Sequence, residues 1–289
     1  MSYHKSVLLH EIIAFLNPQK GDLFIDATAG GGGHSEELAK RGARVLAIDR
    51  DQEAVDYLNS KNLTGLTVKR GNFAKLAEVA KEAGFKKAKG ILFDLGVSSH
   101  QVDEARRGFS FQKEGPLDMR MDTDLTVRAY DIVNNFEERR LNEILKTYGQ
   151  EKFSRAISKA VCSARQIKPI ETTLELAQII KNAVPKSFRG VRKSRIHEAT
   201  RTFQALRIVI NSELLNLQDA LPQTVETLDI GGRLAIISFH SLEDGIVKRF
   251  LKQEGKLKVL TPKPIGPSNE EIEQNPRARS AKLRVAEKI

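Results

Sequence analysis

Apolar positions recur along this chain with two different spacings. Short apolar runs at Leu23–Ala27, Arg44–Ile48, Thr67–Arg70 and Gly90–Asp94, bounded by polar residues and glycines, predict β-strands. The stretches between them, Ser35–Arg41, Gln52–Asn59 and Lys75–Glu82, carry helical spacing, and a short helix from Val7 to Leu16, closed by Asn17-Pro18, precedes them all. Such alternation predicts a parallel sheet with helices on both faces. Its ligand crevice lies beyond the carboxyl ends of the strands, where Asp26, Asp49, Asn72-Phe73 and Asp94 fall.

After Asp94 the rhythm changes, and no convincing strand returns before Gly232–Ser238. In between, Leu141, Ile144, Leu145 and Tyr148, and later Leu174, Ala177 and Ile180, are spaced as on helices. We expect a smaller helical insertion at 108–197 that divides an α/β core into residues 1–107 and 198–289. An amphipathic helix with Phe203, Leu206, Ile210 and Leu214 on one face is expected to bring the chain back to the sheet. Strands at Arg233–Ser238, near Lys256–Leu260 and around Lys282–Val285 follow, with a helix at Leu242–Gln253 and a loop carrying Pro262, Pro264 and Pro267. The total is seven strands.

The first strand runs into Thr28-Ala29-Gly30-Gly31-Gly32-Gly33-His34, a loop whose missing Cβ atoms let backbone N–H groups approach a ligand. The second strand ends in Asp49, placed to accept hydrogen bonds from a ribose. The loop is not G-x-G-x-x-G and lacks the Gly-Lys-Ser/Thr ending of a triphosphate site. An adenosine site without phosphates is the better match, and S-adenosylmethionine fits it. The duller reading is a glycine turn joining strand to helix; Asp49 weighs against it.

Composition narrows the picture further. The chain has 289 residues, 47 Lys+Arg, a formal net charge of +10 and a pI near 9.6, which favours an anionic partner. From Lys181 to Arg207 eight basic side chains (Lys181, Lys186, Arg189, Arg192, Lys193, Arg195, Arg201, Arg207) face one acid, Glu198. This is either a solvated face or a nucleic-acid contact. The lone Cys162 leaves no disulfide framework and no zinc spacing. The N-terminus lacks an apolar signal region, and no run approaches the ~18 apolar residues of a membrane span. A cytoplasmic protein without membrane association is expected.

Two further strand ends carry polar groups. Asp94-Leu95-Gly96-Val97-Ser98-Ser99-His100-Gln101 sits where DNA amine methyltransferases carry Asp/Asn/Ser-Pro-Pro-Tyr/Phe, and this chain has neither the prolines nor the aromatic ring. Ser238-Phe239-His240-Ser241-Leu242-Glu243-Asp244 reads as a serine-capped helix start, with Phe239 and His240 left over as a stacking ring and a hydrogen-bonding imidazole. His34 either caps its helix or lines the cofactor; Phe73 packs against adenine or in the core. Asp118 and Asp122 flank Arg120, which can pair with either, and no catalytic metal is expected.

Longer motifs then become distinctive. His4–Leu9, Gly30–His34, Ala47–Asp51, Asp94–Ser99, Arg107–Phe111, Gly115–Asp122, Ala199–Ala205, Ile237–Asp244 and Asn275–Ser280, spread over nearly the whole chain, resemble the ribosomal RNA small subunit methyltransferase H family. The resemblance implies a class I methyltransferase sheet and N4-methylation of a cytidine in the decoding region of 16S ribosomal RNA, with S-adenosyl-L-methionine as donor. It carries the cofactor positions onto Gly32, Gly33, His34, Asp49, Phe73, Asp94 and Gln101. His100 departs from the proline of relatives. For such chemistry Asp94, Ser98, His240 or backbone carbonyls would orient the target amine. The substrate is expected to be 16S RNA, either free or within the small ribosomal subunit; a homodimer and a monomer both stay open. A nicotinamide-dependent oxidoreductase, an RNA-binding assembly protein on an inactive methyltransferase fold, and a DNA amine methyltransferase are the competing readings.

Overall fold

A computed structural model describes residues 6–185 and 197–289, in two compact units: residues up to Ser99 with Leu214–Ile289, and His100–Glu213. The first unit holds one seven-stranded sheet in the order β3-β2-β1-β4-β5-β7-β6. Its strands are β1 (Leu23–Asp26), β2 (Arg44–Asp49), β3 (Leu66–Arg70), β4 (Ala88–Asp94), β5 (Leu228–Ser238), β6 (Leu257–Val259) and β7 (Lys282–Lys288). β1 to β5 pair in parallel, and β7 runs antiparallel to both β5 and β6. The order reverses between β1 and β4, which is where a doubly wound sheet opens its ligand crevice.

Side chains alternate across the sheet as strand geometry requires. Ile25, Leu46, Ile48, Ile91, Phe93, Leu234 and Ile236 join one buried cluster. Their neighbours Phe24, Val45, Leu92, Ala235 and Ile237 join another. The first is covered by α4 (Leu76–Glu82), α11 (Glu213–Thr227) and α12 (Ser241–Gln253), and the second by α1 (Leu9–Leu16) and α2 (Gly33–Lys40). α3 (Gln52–Ser60) adds Leu58 beside Ala29 and Ala47. Both faces are thus dry, which is why the central strands read as nearly unbroken apolar runs.

The helical unit contains most of α5 (Ser99–Asp103), then α6 (Ala129–Asn135), α7 (Glu138–Tyr148), α8 (Ser154–Ile167), α9 (Thr173–Ala183) and α10 (Thr200–Ile210). α7 packs on α8 and α10, with Leu141, Ile144, Leu145, Ile157, Val161 and Leu206 buried. Helix α10 therefore belongs with this unit and not with the second part of the core that begins at 198 in the sequence reading. It is α11 that returns the chain to the sheet; α13 (Asn269–Gln274) lies between β6 and β7.

Another difference is local. The sequence places Val7 and Leu8 inside the first helix, but Leu8 is its N-cap, in the left-handed region at φ 53°, ψ 33°. Its backbone N–H donates to Glu271 Oε1 at 2.7 Å, far away along the chain. No apolar periodicity can signal a bond of that kind.

Candidate functional site

The site begins where β1 stops. Asp26 is buried, and its carboxylate accepts Ser35 Oγ–H at 2.7 Å and Thr28 N–H at 3.3 Å, tying the strand end to the first turn of α2. Burial pushes its pKa up to about 6 against these hydrogen bonds. The loop above it turns through Gly30 and Gly32, at φ 50° and 77°, a region that disfavours any Cβ. Gly30 N–H donates to Asp49 Oδ2 at 2.7 Å, and Asp51 N–H to Asp49 Oδ1 at 2.8 Å. Asp49 thus braces the glycine loop, and each oxygen keeps a lone pair for a further donor. Desolvation raises its pKa to about 6 as well.

His34 is the second residue of α2, whose N-cap is Gly32, so it does not cap the helix. The ring is buried, and Nε2 lies 3.0 Å from the Val7 carbonyl. A carbonyl only accepts, so Nε2 carries the hydrogen and Nδ1 presents a bare lone pair. Nδ1 lies 3.8 Å from Asp94 Oδ2. Burial lowers the imidazole's pKa to about 4, leaving it neutral at pH 7.

Asp94 closes β4. Its backbone N–H donates to Thr28 Oγ1 at 2.6 Å, while carboxylate Oδ1 is buried with no hydrogen-bond partner among the described residues. Burial first, then the charges of Asp26, Glu243 and Glu271, push this carboxyl well above the usual carboxylate range. An orphaned buried carboxylate oxygen is costly unless a donor or a cation arrives to satisfy it.

Two more loops meet this one. A Cβ built on Gly30 would lie 3.8 Å from Ser98 Cβ, and one on Gly96 would lie 3.6 Å from the Phe239 ring. Ser98 and Phe239 therefore stand beside the glycine loop and the Asp94 turn respectively. The residue after Phe239 has a second duty. His240, not a serine, is the N-cap of α12; its Nδ1 accepts Glu243 N–H at 3.4 Å, and Ser241 is the first helical residue. Glu243 returns the favour, Oε2 accepting Phe239 N–H at 2.9 Å and His240 N–H at 3.3 Å. His240 Nε2 lies 3.2 Å from Glu243 Oε1. Asp244 forms an ion pair with Arg284 at 2.7 Å.

Phe73 follows Asn72, whose Oδ1 accepts Ala74 N–H, and its half-buried ring meets Phe93 edge-to-face at 5.6 Å between centroids. It packs on the core with part of its surface left open. Gln101 is buried on α5 and belongs to the helical unit. Arg120 takes Asp118, with Nε–Oδ1 at 2.8 Å and Nη2–Oδ2 at 2.7 Å, so that pair is a brace inside its own loop. Thr28, Ser35 and Glu243 were not among the expected site residues. Glu243 had a readable signal, since it stands three residues after its cap, as in a capping box. Thr28 and Ser35 had none beyond being polar.

The basic run divides. Lys181 is exposed at the end of α9, whereas Arg207 is held by Glu213 through two 2.8 Å contacts and Arg201 Nη1 donates to the Gln150 carbonyl at 3.3 Å. Lys186, Arg189, Arg192, Lys193 and Arg195 lie outside the described residues.

A seven-stranded sheet of this order, with a glycine loop after β1 and an acid at the end of β2, defines a class I methyltransferase. The chain belongs to the MraW methylase family, whose model matches residues 1–289. It is 48% identical to ribosomal RNA small subunit methyltransferase H of Deinococcus deserti, over 99% of this chain and 93% of that protein. The Deinococcus radiodurans protein of the same name is 49% identical over 99% and 89%, and that of Halothermothrix orenii 44% over 100% and 99%. An rRNA methylase structure from Streptococcus thermophilus aligns over 99% of this chain and 98% of that one, at 13% identity and a TM-score of 0.46. The enzyme is an S-adenosylmethionine-dependent methyltransferase. The residues fit that cofactor: the loop admits a ligand against backbone, Asp49 retains acceptors for hydroxyls, and Asp94 Oδ1 lacks a partner.

Proposed function

We propose that this enzyme methylates N4 of a cytidine in the decoding region of 16S ribosomal RNA, acting in the cytoplasm on free RNA or on the small subunit. The observation that carries the chemical half of the reading is the orphaned Asp94 Oδ1, at the end of β4 and beside His34. The identity of the RNA rests on the names of relatives up to 49% identical.

In this reading Gly32, Gly33, His34, Asp49, Phe73 and Asp94 hold the cofactor, and Gln101 joins them on its sequence motif alone. S-adenosylmethionine supplies a methyl group already activated on a sulfonium. Cytidine N4 is conjugated with its ring and is a weak nucleophile, so the protein's task is alignment and acceptance of N–H bonds as the nitrogen becomes tetrahedral. Asp94 Oδ1 accepts one N–H, with Ser98 or backbone carbonyls beside it. A cation brought to this place favours the ionised form of Asp94. His240 presents its ring next to Phe239, which offers a stacking face for a base displaced from its stack. The C–N bond forms as the C–S bond breaks, and the excess proton leaves N4 for water. The helical unit and the Lys181–Arg207 run hold RNA phosphates. No specific observation favours an oxidoreductase or an inactive assembly protein.

Calorimetry with S-adenosylmethionine and with NAD, followed by methyl transfer to isolated 16S RNA, partly assembled subunits and DNA, tests the reading. Saturation by S-adenosylmethionine alone and transfer to RNA or subunits are expected. Transfer to DNA only, or saturation by NAD, sinks it.

A further inference from the structure

The glycine loop has a neighbour in the residues just ahead of the first helix. A Cβ on Gly33 would lie 1.9 Å from Ser6 Oγ, so Ser6 sits directly against the loop. Val7 offers its carbonyl to His34 Nε2 at 3.0 Å. Leu8 then turns left-handed with its side chain fully buried, a conformation that costs a non-glycine residue about 1–2 kcal/mol and needs surrounding structure to impose it. Its amide is held by Glu271, in the first turn of α13, whose Oε1 accepts the Leu8 N–H at 2.7 Å. Ser268 caps that helix by accepting Glu271 N–H at 3.1 Å, fixing the backbone that carries the carboxylate. The Glu271 charge also reaches the site, as one of those that raise the Asp94 pKa.

We propose that Glu271 is a positioning residue for the cofactor loop, acting through the Ser6–Leu8 segment that it pins against Gly33 and His34. The inference rests on the reading that this loop holds S-adenosylmethionine. If the tether slackens, the Val7 carbonyl moves, the imidazole loses the partner that fixes its tautomer, and the Nδ1 lone pair no longer faces Asp94. The chain's C-terminal part would thus set the geometry of a site built mainly from its N-terminal part.

Three variants of the full-length protein separate tether from charge. E271A removes the acceptor, E271Q keeps an acceptor of the same reach without the charge, and E271D keeps the charge but withdraws it by one methylene. S-adenosylmethionine affinity is read by calorimetry, KM and kcat by methyl transfer, and exchange of the Leu8 amide and of residues 30–34 by hydrogen–deuterium exchange. E271A is expected to expose the Leu8 amide and to raise Kd and the KM for S-adenosylmethionine about ten-fold, the loss of one charge-assisted bond, with kcat at saturation retained. E271Q should recover most of the affinity, and E271D should not. An E271A affinity within about two-fold of the parent, or an E271Q variant as weak as E271A, overturns the proposal. If E271A does not fold, E271D decides, and unchanged affinity there is equally contrary. Protection of residues 30–34 by S-adenosylmethionine in the parent protein checks the underlying reading separately; its absence removes both.

Discussion

His34 and Asp94 face each other with 3.8 Å between Nδ1 and Oδ2, and the Val7 carbonyl turns the imidazole so that its bare nitrogen points at the carboxyl. Neither group gives the other a full hydrogen bond, and Asp94 Oδ1 has no partner at all among the described residues. In the function proposed above, the pair awaits a ligand. Asp94→Ala should lower kcat/KM by about 100-fold, the scale on which preorganised polar groups act. Asp94→Asn should lose activity comparably while raising the Tm of the ligand-free protein at pH 7.5, because a carboxyl whose ionisation is disfavoured by burial is gone. Methyl-transfer kinetics and thermal denaturation check the two halves, and full activity in Asp94→Ala would withdraw the role assigned to it.

Affinity for S-adenosylmethionine should depend on pH through the same strand ends. Asp49 titrates at about 6 because burial disfavours its charge, and a ribose hydroxyl donates best to the ionised form. Binding should therefore weaken as pH falls below about 6 and release protons near that pH. Calorimetry in buffers of different ionisation enthalpy measures the release, and Asp49→Asn should reduce it.

Folding stability carries the opposite sign. Asp26, moved from 3.8 to about 6, holds a proton more tightly when folded; its cost is absent below about pH 4 and complete above about pH 6, reaching about 3 kcal/mol. Asp49 adds to this trend. His34, lowered from 6.5 to about 4, opposes it: its cost is complete below about pH 4 and gone above the ordinary imidazole value. Asp26→Asn should consequently gain stability over the parent as pH rises from 4 to 7, seen in denaturant melts at several pH values. A gain that shrinks over that range contradicts the assignment.

His240 caps a helix and stands beside Phe239, and one substitution divides these duties. Asn is among the best N-caps, so His240→Asn should keep α12 and change stability by no more than a few tenths of a kcal/mol. A role in orienting the base predicts that kcat falls all the same. If kcat is unchanged, His240 is a cap alone.

Of the basic run, Lys181 is exposed at the end of α9, and Lys186, Arg189, Arg192, Lys193 and Arg195 lie outside the described residues. Replacing Arg189, Arg192, Lys193 and Arg195 together by Gln should raise the KM for RNA, flatten its salt dependence by up to about 4 in log–log slope, and leave S-adenosylmethionine affinity alone. Arg207→Gln should act differently, lowering stability through the loss of Glu213's partner.

Most of the sheet was legible because both its faces are covered. Strands such as Val45–Ile48 and Ile91–Phe93 are apolar on both sides, and that density marks them without help from distant residues. The strand-end acids were legible for the same reason, as polar breaks after apolar runs. What escaped involves partners remote in sequence: the left-handed Leu8 bonds through its N–H to Glu271, and α10 packs on α7. The cap of α12 was misjudged for a simpler reason. Serine is the commoner cap, but here the imidazole Nδ1 accepts the N3 amide and Glu243 closes the box, leaving Ser241 inside the helix.

The most direct test of the central claim is the identity of the modified nucleoside. 16S RNA or small subunits lacking the modification, incubated with the purified enzyme and methyl-labelled S-adenosylmethionine, are digested to nucleosides and analysed by mass spectrometry, with the labelled fragment mapped. Label in N4-methylcytidine from a single decoding-region position is the result predicted here. Label on a ring carbon, on a ribose, on a nucleoside other than cytidine or outside the decoding region would contradict it.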